Sequence, residues 1–197
     1  MIKKKTKEAK YWEERYINGN TGWDMHQVSP PLKSYFDQIH DKNLKILIPG
    51  CGHAYEAEYL VYQGFKNVHV LDIAIQPLKS LKNRTIDNAD ALRIYQEDFF
   101  EFKGKYDLIV EQTFFCALQP HLRKSYAHKM RNLLKNNGHL VGLLFDFPLD
   151  TGPPFGGNIH EYYTYFKSDF VFKHFQRAYN SYYKRFPKEI FINLVKK

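Results

Sequence analysis

The chain reads as an open, doubly wound α/β sheet, mostly parallel, closed near its C-terminus by an antiparallel hairpin. Three observations carry that reading. From Leu44 onward, short β-type runs alternate with stretches of helical period, the pattern of parallel strands joined by crossover helices. The first of these strands runs into Ile48-Pro49-Gly50-Cys51-Gly52, a glycine-bearing turn placed just ahead of a helix. At 197 residues, 44% hydrophobic and 25% charged, the chain is the right size for one core.

In chain order, residues 1–10 are lysine-rich and are expected to form a basic, disordered tail. Residues 11–197 should then make a single domain, with 11–43 as a helical cover. A helix over residues 9–18 carries Trp12, Tyr16 and Ile17 on overlapping turns and ends at Gly19. A second helix is predicted after Ser29 as N-cap, with Pro30 and Pro31 in its first turn and Leu32, Tyr35, Phe36 and Ile39 on one face. The strands expected are Lys45–Ile48, Val68–Leu71, Leu92–Gln96, Tyr106–Val110 and His139–Phe145, with helices near 54–63, 75–83 and 120–135. The last helix has Pro120 near its start, Leu122, Tyr126, Met130, Leu133 and Leu134 at helical spacing, and Gly138 beyond its end. Residues 148–157 are too rich in Pro and Gly for either element. A short helix and two antiparallel strands, drawn from the aromatic runs between Phe170 and Val195, close the sheet.

Composition narrows the function classes. The net charge of +8 sits at the ends: residues 1–10 hold five lysines against Glu8, and residues 173–197 hold seven basic residues against Glu189, which leaves the middle at about −2. No nucleic-acid track crosses that middle stretch. No run approaches the roughly 18 apolar residues of a membrane span, and the N-terminus lacks the apolar core of a signal peptide, so a soluble, cytoplasmic protein is expected. Cys51 and Cys116 are too few for a disulfide framework or a four-cysteine zinc site, and the nine histidines show no H-E-x-x-H spacing, so no metal is expected. Cys51, following an apolar strand, reads as a small core residue rather than a nucleophile.

The ligand crevice of such a sheet lies beyond the carboxyl ends of the strands, where strand order reverses. Gly50 and Gly52 would let a ligand lie against the main chain there. Asp72 ends the second strand about twenty residues later, where a carboxylate can take both hydroxyls of a ribose; its rival role is as a helix cap. A dinucleotide and S-adenosylmethionine both suit that geometry. The dinucleotide fingerprint wants a small residue where this chain has Tyr55, so a pyrophosphate would meet a large ring. Asp98-Phe99 could take the amino group and the flat face of an adenine, Trp12 and Trp23 could neighbour a sulfonium or simply pack, and Glu111-Gln112 are expected to point into the same crevice.

These residues carry a resemblance. The ordered runs Trp12-Glu13-Glu14-Arg15-Tyr16, Thr21-Gly22-Trp23-Asp24, Ile48-Pro49-Gly50-Cys51-Gly52, Asp98-Phe99-Phe100, Thr113 to Pro120 and Gly152-Pro153-Pro154-Phe155 resemble the thiopurine S-methyltransferase family, most nearly its thiol and halide methyltransferase branch. The resemblance implies a class I, Rossmann-like methyltransferase fold with a seven-stranded sheet and S-adenosyl-L-methionine as cofactor. Carried over by position, it implies cofactor contacts from Trp12, Trp23, Gly50, Gly52, Asp72, Asp98, Phe99 and Gln112. Gln112 falls where mammalian members have an arginine and the plant branch often a tyrosine, which favours a small thiol or inorganic nucleophile over aromatic thiols.

Methyl transfer from a sulfonium to sulfur is an in-line displacement in which positioning and desolvation do most of the work, so no dominant catalytic residue is expected. Asp24, Glu111 and Tyr11 are the candidate polar catalytic groups, Trp23 and Phe155 the walls of the acceptor pocket, and residues 152–157 a candidate lid. The rival readings are an O- or N-methyltransferase of a small metabolite or RNA, and a non-catalytic domain of the same shape.

Overall fold

A computed structural model describes residues 7–197 of the chain. Helix α1 (Lys7–Ile17) precedes α2 (Pro30–Phe36), and the sheet then unfolds as β1 (Ile46–Pro49), α3 (Tyr55–Tyr62), β2 (Val68–Asp72), α4 (Ile75–Arg84), β3 (Leu92–Gln96) and β4 (Tyr106–Gln112). After α5 (Arg123–Leu133) come β5 (Leu134–Phe145), α6 (Ile159–Phe166), β6 (Phe170–Arg177) and β7 (Glu189–Lys196). The seven strands lie in the order β3-β2-β1-β4-β5-β7-β6. The first five are parallel, and β7 pairs antiparallel with both β5 and β6.

Burial explains the order. Every residue of β1 and β2 is buried, as central parallel strands covered on both faces require. Alternate residues feed two cores: Leu47, Ile109 and Leu140 pack with Tyr126, Met130 and Phe166 on one face. Ile46, Ile48, Val70, Leu108 and Val141 pack with Leu32, Phe36 and Leu60 on the other. Strand order reverses at β1, which pairs with β2 on one side and β4 on the other, so a crevice opens beyond their carboxyl ends.

Three local expectations change. Helix α1 opens at Lys7, so the tail expected over 1–10 yields residues 7–10 to a helix; residues 1–6 lie outside the described residues. The helix expected over 120–135 divides into a 3-10 turn at Pro120–Leu122 and α5, and Leu134 already belongs to β5, which runs on through Gly138. In the C-terminal hairpin, 170–177 supplies one arm, and the aromatic run 179–186 forms the connection rather than a strand. Ser29 does precede α2, yet its side chain makes no cap. Its backbone N–H instead donates to the buried Glu56 carboxylate at 3.0 Å.

Candidate active site

A cavity of about 850 Å³ fills the crevice beyond β1, β2 and β4. Of the residues singled out in the sequence, Tyr11, Trp12, Trp23, Asp24, Gly50, Gly52, Asp72, Asp98, Phe99 and Gln112 all line it. Two do not, and each has a structural reason.

The floor is backbone. Gly50 (φ 57°) and Gly52 (φ 52°) hold left-handed conformations that side chains disfavour. A Cβ on Gly50 would overlap the Phe114 ring, and one on Gly52 would come within 2.6 Å of the Tyr16 hydroxyl. The turn is anchored by Asp72, whose buried carboxylate accepts from the Gly52 N–H at 2.8 Å and from the Ala74 N–H at 2.9 Å. Burial raises the Asp72 pKa, against the pull of those backbone donors. Its rival role, capping α4, belongs to Glu13, whose carboxylate crosses from α1 to accept from Ile75 N–H at 2.7 Å and Gln76 N–H at 3.2 Å. One oxygen of Asp98 accepts from Phe100 N–H at 2.8 Å, and Asp98 and the buried Phe99 both line the cavity.

The roof is aromatic. Trp12 and Trp23 meet edge to face at 5.5 Å, Trp23 meets Tyr16 at 5.7 Å, and Tyr16 meets His53 at 5.3 Å. Arg15 lies 5.2 Å over the Trp23 ring and donates to the Tyr11 hydroxyl at 3.1 Å, so Tyr11 and Trp23 already share a cation. Burial, then the nearby Asp72 carboxylate, push the Tyr16 phenol well above its ordinary range. It remains a neutral hydroxyl.

Glu111 departs from expectation. It is fully buried, does not line the cavity, and accepts from Phe114 N–H at 2.8 Å, Phe115 N–H at 2.9 Å and the Tyr126 hydroxyl. Burial raises its pKa to about 7 against the pull of those donors. It braces the turn after β4, where Thr113 sits at φ 57°. Gln112, one residue on and so on the opposite side of the strand, does reach the cavity, and both atoms of its buried amide lack a partner in the protein. An orphaned buried amide costs about 1–3 kcal/mol unless a ligand satisfies it.

Phe155 also misses the cavity, which Gly152, Pro153 and Pro154 line in its place. Its N–H donates to Cys116 O at 2.7 Å, and Gly157 N–H donates to Phe147 O at 2.8 Å. The buried guanidinium of Arg123 donates to Gly156 O at 2.7 Å and to Phe155 O at 3.2 Å, with Glu161 2.9 Å from it. Residues 155–157 are therefore clamped, and only 152–154 overhang the cavity. Cys51 is half-buried: it packs on one core and lines the cavity as well.

Sequence reasoning gave no site role to Tyr16, His53 and Arg185, all of them in the lining. Tyr16 lay one helical turn from Trp12 and could have been found that way. Arg185 comes from the β6–β7 connection, far from the other site residues in the chain.

A family described as thiopurine S-methyltransferase matches residues 7–189. Among relatives, a probable thiol methyltransferase 2 of Arabidopsis thaliana is 33% identical over 160 residues, 77% of this chain and 69% of that protein. A thiocyanate methyltransferase 1 of Brassica oleracea is 29% identical over 155 residues, 76% of this chain and 68% of that one. Among solved structures, the 1,6-didemethyltoxoflavin-N1-methyltransferase of Burkholderia thailandensis, crystallised with S-adenosylhomocysteine, superposes with a TM-score of 0.78 at 15% identity, covering 96% of this chain and 87% of its own. At that identity the likeness speaks for the fold.

Proposed function

The chain belongs to the thiopurine S-methyltransferase family, and from that premise we propose that its cavity binds S-adenosyl-L-methionine and directs the methyl group to a small thiol or similarly soft nucleophile. The observation that carries this is the joint lining of one cavity of about 850 Å³ by Asp72 and Asp98, at successive strand ends, with the rings of Phe99, Trp12 and Trp23. A concave, mostly aromatic site with two carboxylates fits a bulky ligand that carries hydroxyl and amino groups.

When bound, the cofactor supplies an electrophilic methyl group on a sulfonium. The chain's own residues do the rest. Asp72 accepts one short backbone N–H on each oxygen, from Gly52 and from Ala74, and a carboxylate has further lone pairs for ribose hydroxyls. The second oxygen of Asp98 and the face of Phe99 suit an adenine edge and plane. Trp12, Trp23 and Tyr16 exclude water and offer ring faces to a cation. Gln112, neutral where it lines the cavity, suits a small nucleophile better than a bulky acidic one. Asp24 and Tyr11 are polar groups on the rim. Attack on the methyl needs alignment more than a covalent intermediate, so the walls at Trp23 and Pro153–Pro154 act by holding the acceptor in line. No described helix is long and apolar enough to cross a membrane. The two unpaired cysteines support a cytoplasmic location.

Calorimetry tests the cofactor. S-adenosylmethionine and its demethylated product should both bind in the micromolar range. Failure of both below millimolar, together with binding of a nicotinamide dinucleotide, overturns the reading. A panel of thiols, selenols and halide ions then identifies the acceptor.

A further inference from the structure

The floor and roof of the cavity meet at His53, which lies in the turn between Gly52 and α3. Its Nε2 lies 3.5 Å from Oδ2 of Asp24, a carboxylate whose side chain is only 5% exposed and which also accepts from the His26 N–H at 2.7 Å. The His26 ring, exposed, approaches the same oxygen at 3.4 Å. The His53 ring is fixed on its other sides by aromatic edges, Tyr16 of α1 at 5.3 Å and Tyr55 of α3 at 6.0 Å. Arg84 of α4 donates to the His53 carbonyl and so holds the backbone from beneath. His53 is thus an imidazole on a cavity wall, with a nearly buried carboxylate 3.5 Å from Nε2 and, among the described residues, no hydrogen bond to either ring nitrogen.

We propose that His53, oriented by Asp24, is the proton acceptor that ionises the thiol substrate in this cavity. The proposal rests on the methyltransferase reading above. Aiming Nε2–H at the carboxylate leaves the lone pair on Nδ1. The thiol S–H gives its proton to Nδ1, and the sulfur's electron pair forms the new bond to the methyl carbon. The bond from that carbon to the sulfonium sulfur breaks with its pair, which leaves a neutral thioether. The proton on Nδ1 leaves to water, so the imidazole is neutral again for the next turnover.

The charges around His53 suit this work. Burial lowers its pKa, with Arg84 and His26 pulling the same way and Asp24 opposing them, so the imidazole is a free base at neutral pH. The need for a base is arithmetic: at pH 6.5 only about 1% of a thiol with pKa near 8.5 is ionised. A base touching the thiol can take the proton as the bond to carbon forms, which raises the rate most at that pH and little above the thiol's own pKa. An anion such as iodide carries no proton and has no use for it.

That contrast makes the test. His53→Gln is assayed against wild type with an aliphatic thiol and with iodide across the neutral and alkaline range, while calorimetry follows the demethylated cofactor. The expected result is a tenfold to hundredfold loss of thiol kcat/KM near pH 6.5, recovering as pH passes the thiol pKa. Iodide turnover and product affinity should stay within about twofold. Nitrogen-detected NMR titration of His53 should show its pKa falling in Asp24→Asn. Equal losses for thiol and iodide, no loss for either, or a thiol deficit that does not change with pH overturns the proposal. The last criterion decides alone if wild type does not use iodide. A wild type that methylates neither acceptor overturns the methyltransferase reading instead.

Discussion

The two sides of the cavity are built from similar residue types, and they turn their charges in opposite directions. On the β1–β2 side, Asp72 stands at the cavity wall and organises the backbone a ligand would lie on. On the β4–β5 side, Glu111 and Arg123 face into the protein, where they hold the 113–117 turn and the 155–157 segment. An acidic residue at the end of a strand is thus no guide by itself to a site. Which side of the pleat it occupies decides, and a shift of one residue exchanges the roles, as Glu111 and Gln112 demonstrate.

The largest effect that contrast forecasts is on stability. Glu111→Ala strands two backbone N–H groups and the Tyr126 hydroxyl in the core and opens a cavity, at a cost of about 3–5 kcal/mol. Glu111→Gln keeps an oxygen for the two amides and should cost less than half as much. Urea denaturation measures both. The pH dependence follows from the raised pKa: with the folded value near 7 and an ordinary unfolded value near 4.5, the folded state holds the proton more tightly between them. The stability Glu111 contributes is therefore complete below about 4.5 and is lost as pH rises through about 7. The deficit of Glu111→Gln relative to wild type should accordingly shrink from pH 5 to pH 8. A catalytic Glu111 would instead give the glutamine variant normal stability and no turnover.

The next effect is on binding, on the opposite side of the cavity. Asp72→Ala should weaken the demethylated cofactor more than tenfold by calorimetry, and cost about 1–2 kcal/mol of stability through the unpaired Gly52 and Ala74 N–H groups. Unchanged affinity with the same loss of stability would make Asp72 a brace like Glu111 and erase the contrast.

What was legible in the chain divides along the same line. The alternation of periods gave the first four sheet strands to within two residues: β1 and β2, buried throughout, are near-continuous apolar runs, and the edge strand β3 alternates Leu92 and Ile94 with Arg93 and Tyr95. The glycine turn, Asp72 and Asp98 were readable because they lie at successive strand ends, which this topology brings together. The two misread site residues have one source of error, side-chain direction. Glu111 and Phe155 were in the right segments and faced the wrong way. Gly138 looked like a helix stop, yet it lies inside β5, where a Cβ would press on Lys135 O and Tyr106 O. His53 and Arg185 needed the closing of the turn before α3 and the hairpin connection around one volume, and no local pattern encodes that.

The smallest effect concerns Cys51, which shares the glycine turn with the floor of the site and lines the cavity. A nucleophilic role would need a thiolate, and the surroundings oppose one: burial raises the Cys51 pKa, and the nearby Asp72 carboxylate raises it further. Its Sγ–H points at the Gly52 carbonyl, 3.7 Å away, and no cation neutralises it. Direct displacement needs no enzyme-bound intermediate either, so Cys51→Ala should leave kcat/KM within about twofold of wild type and cost only the packing of one sulfur, about 1 kcal/mol. A loss of two orders of magnitude at unchanged cofactor affinity would mean that the methyl group passes through the protein. The cavity floor would then be a reactive surface, and its difference from the braced β4–β5 side would be one of chemistry as well as of direction.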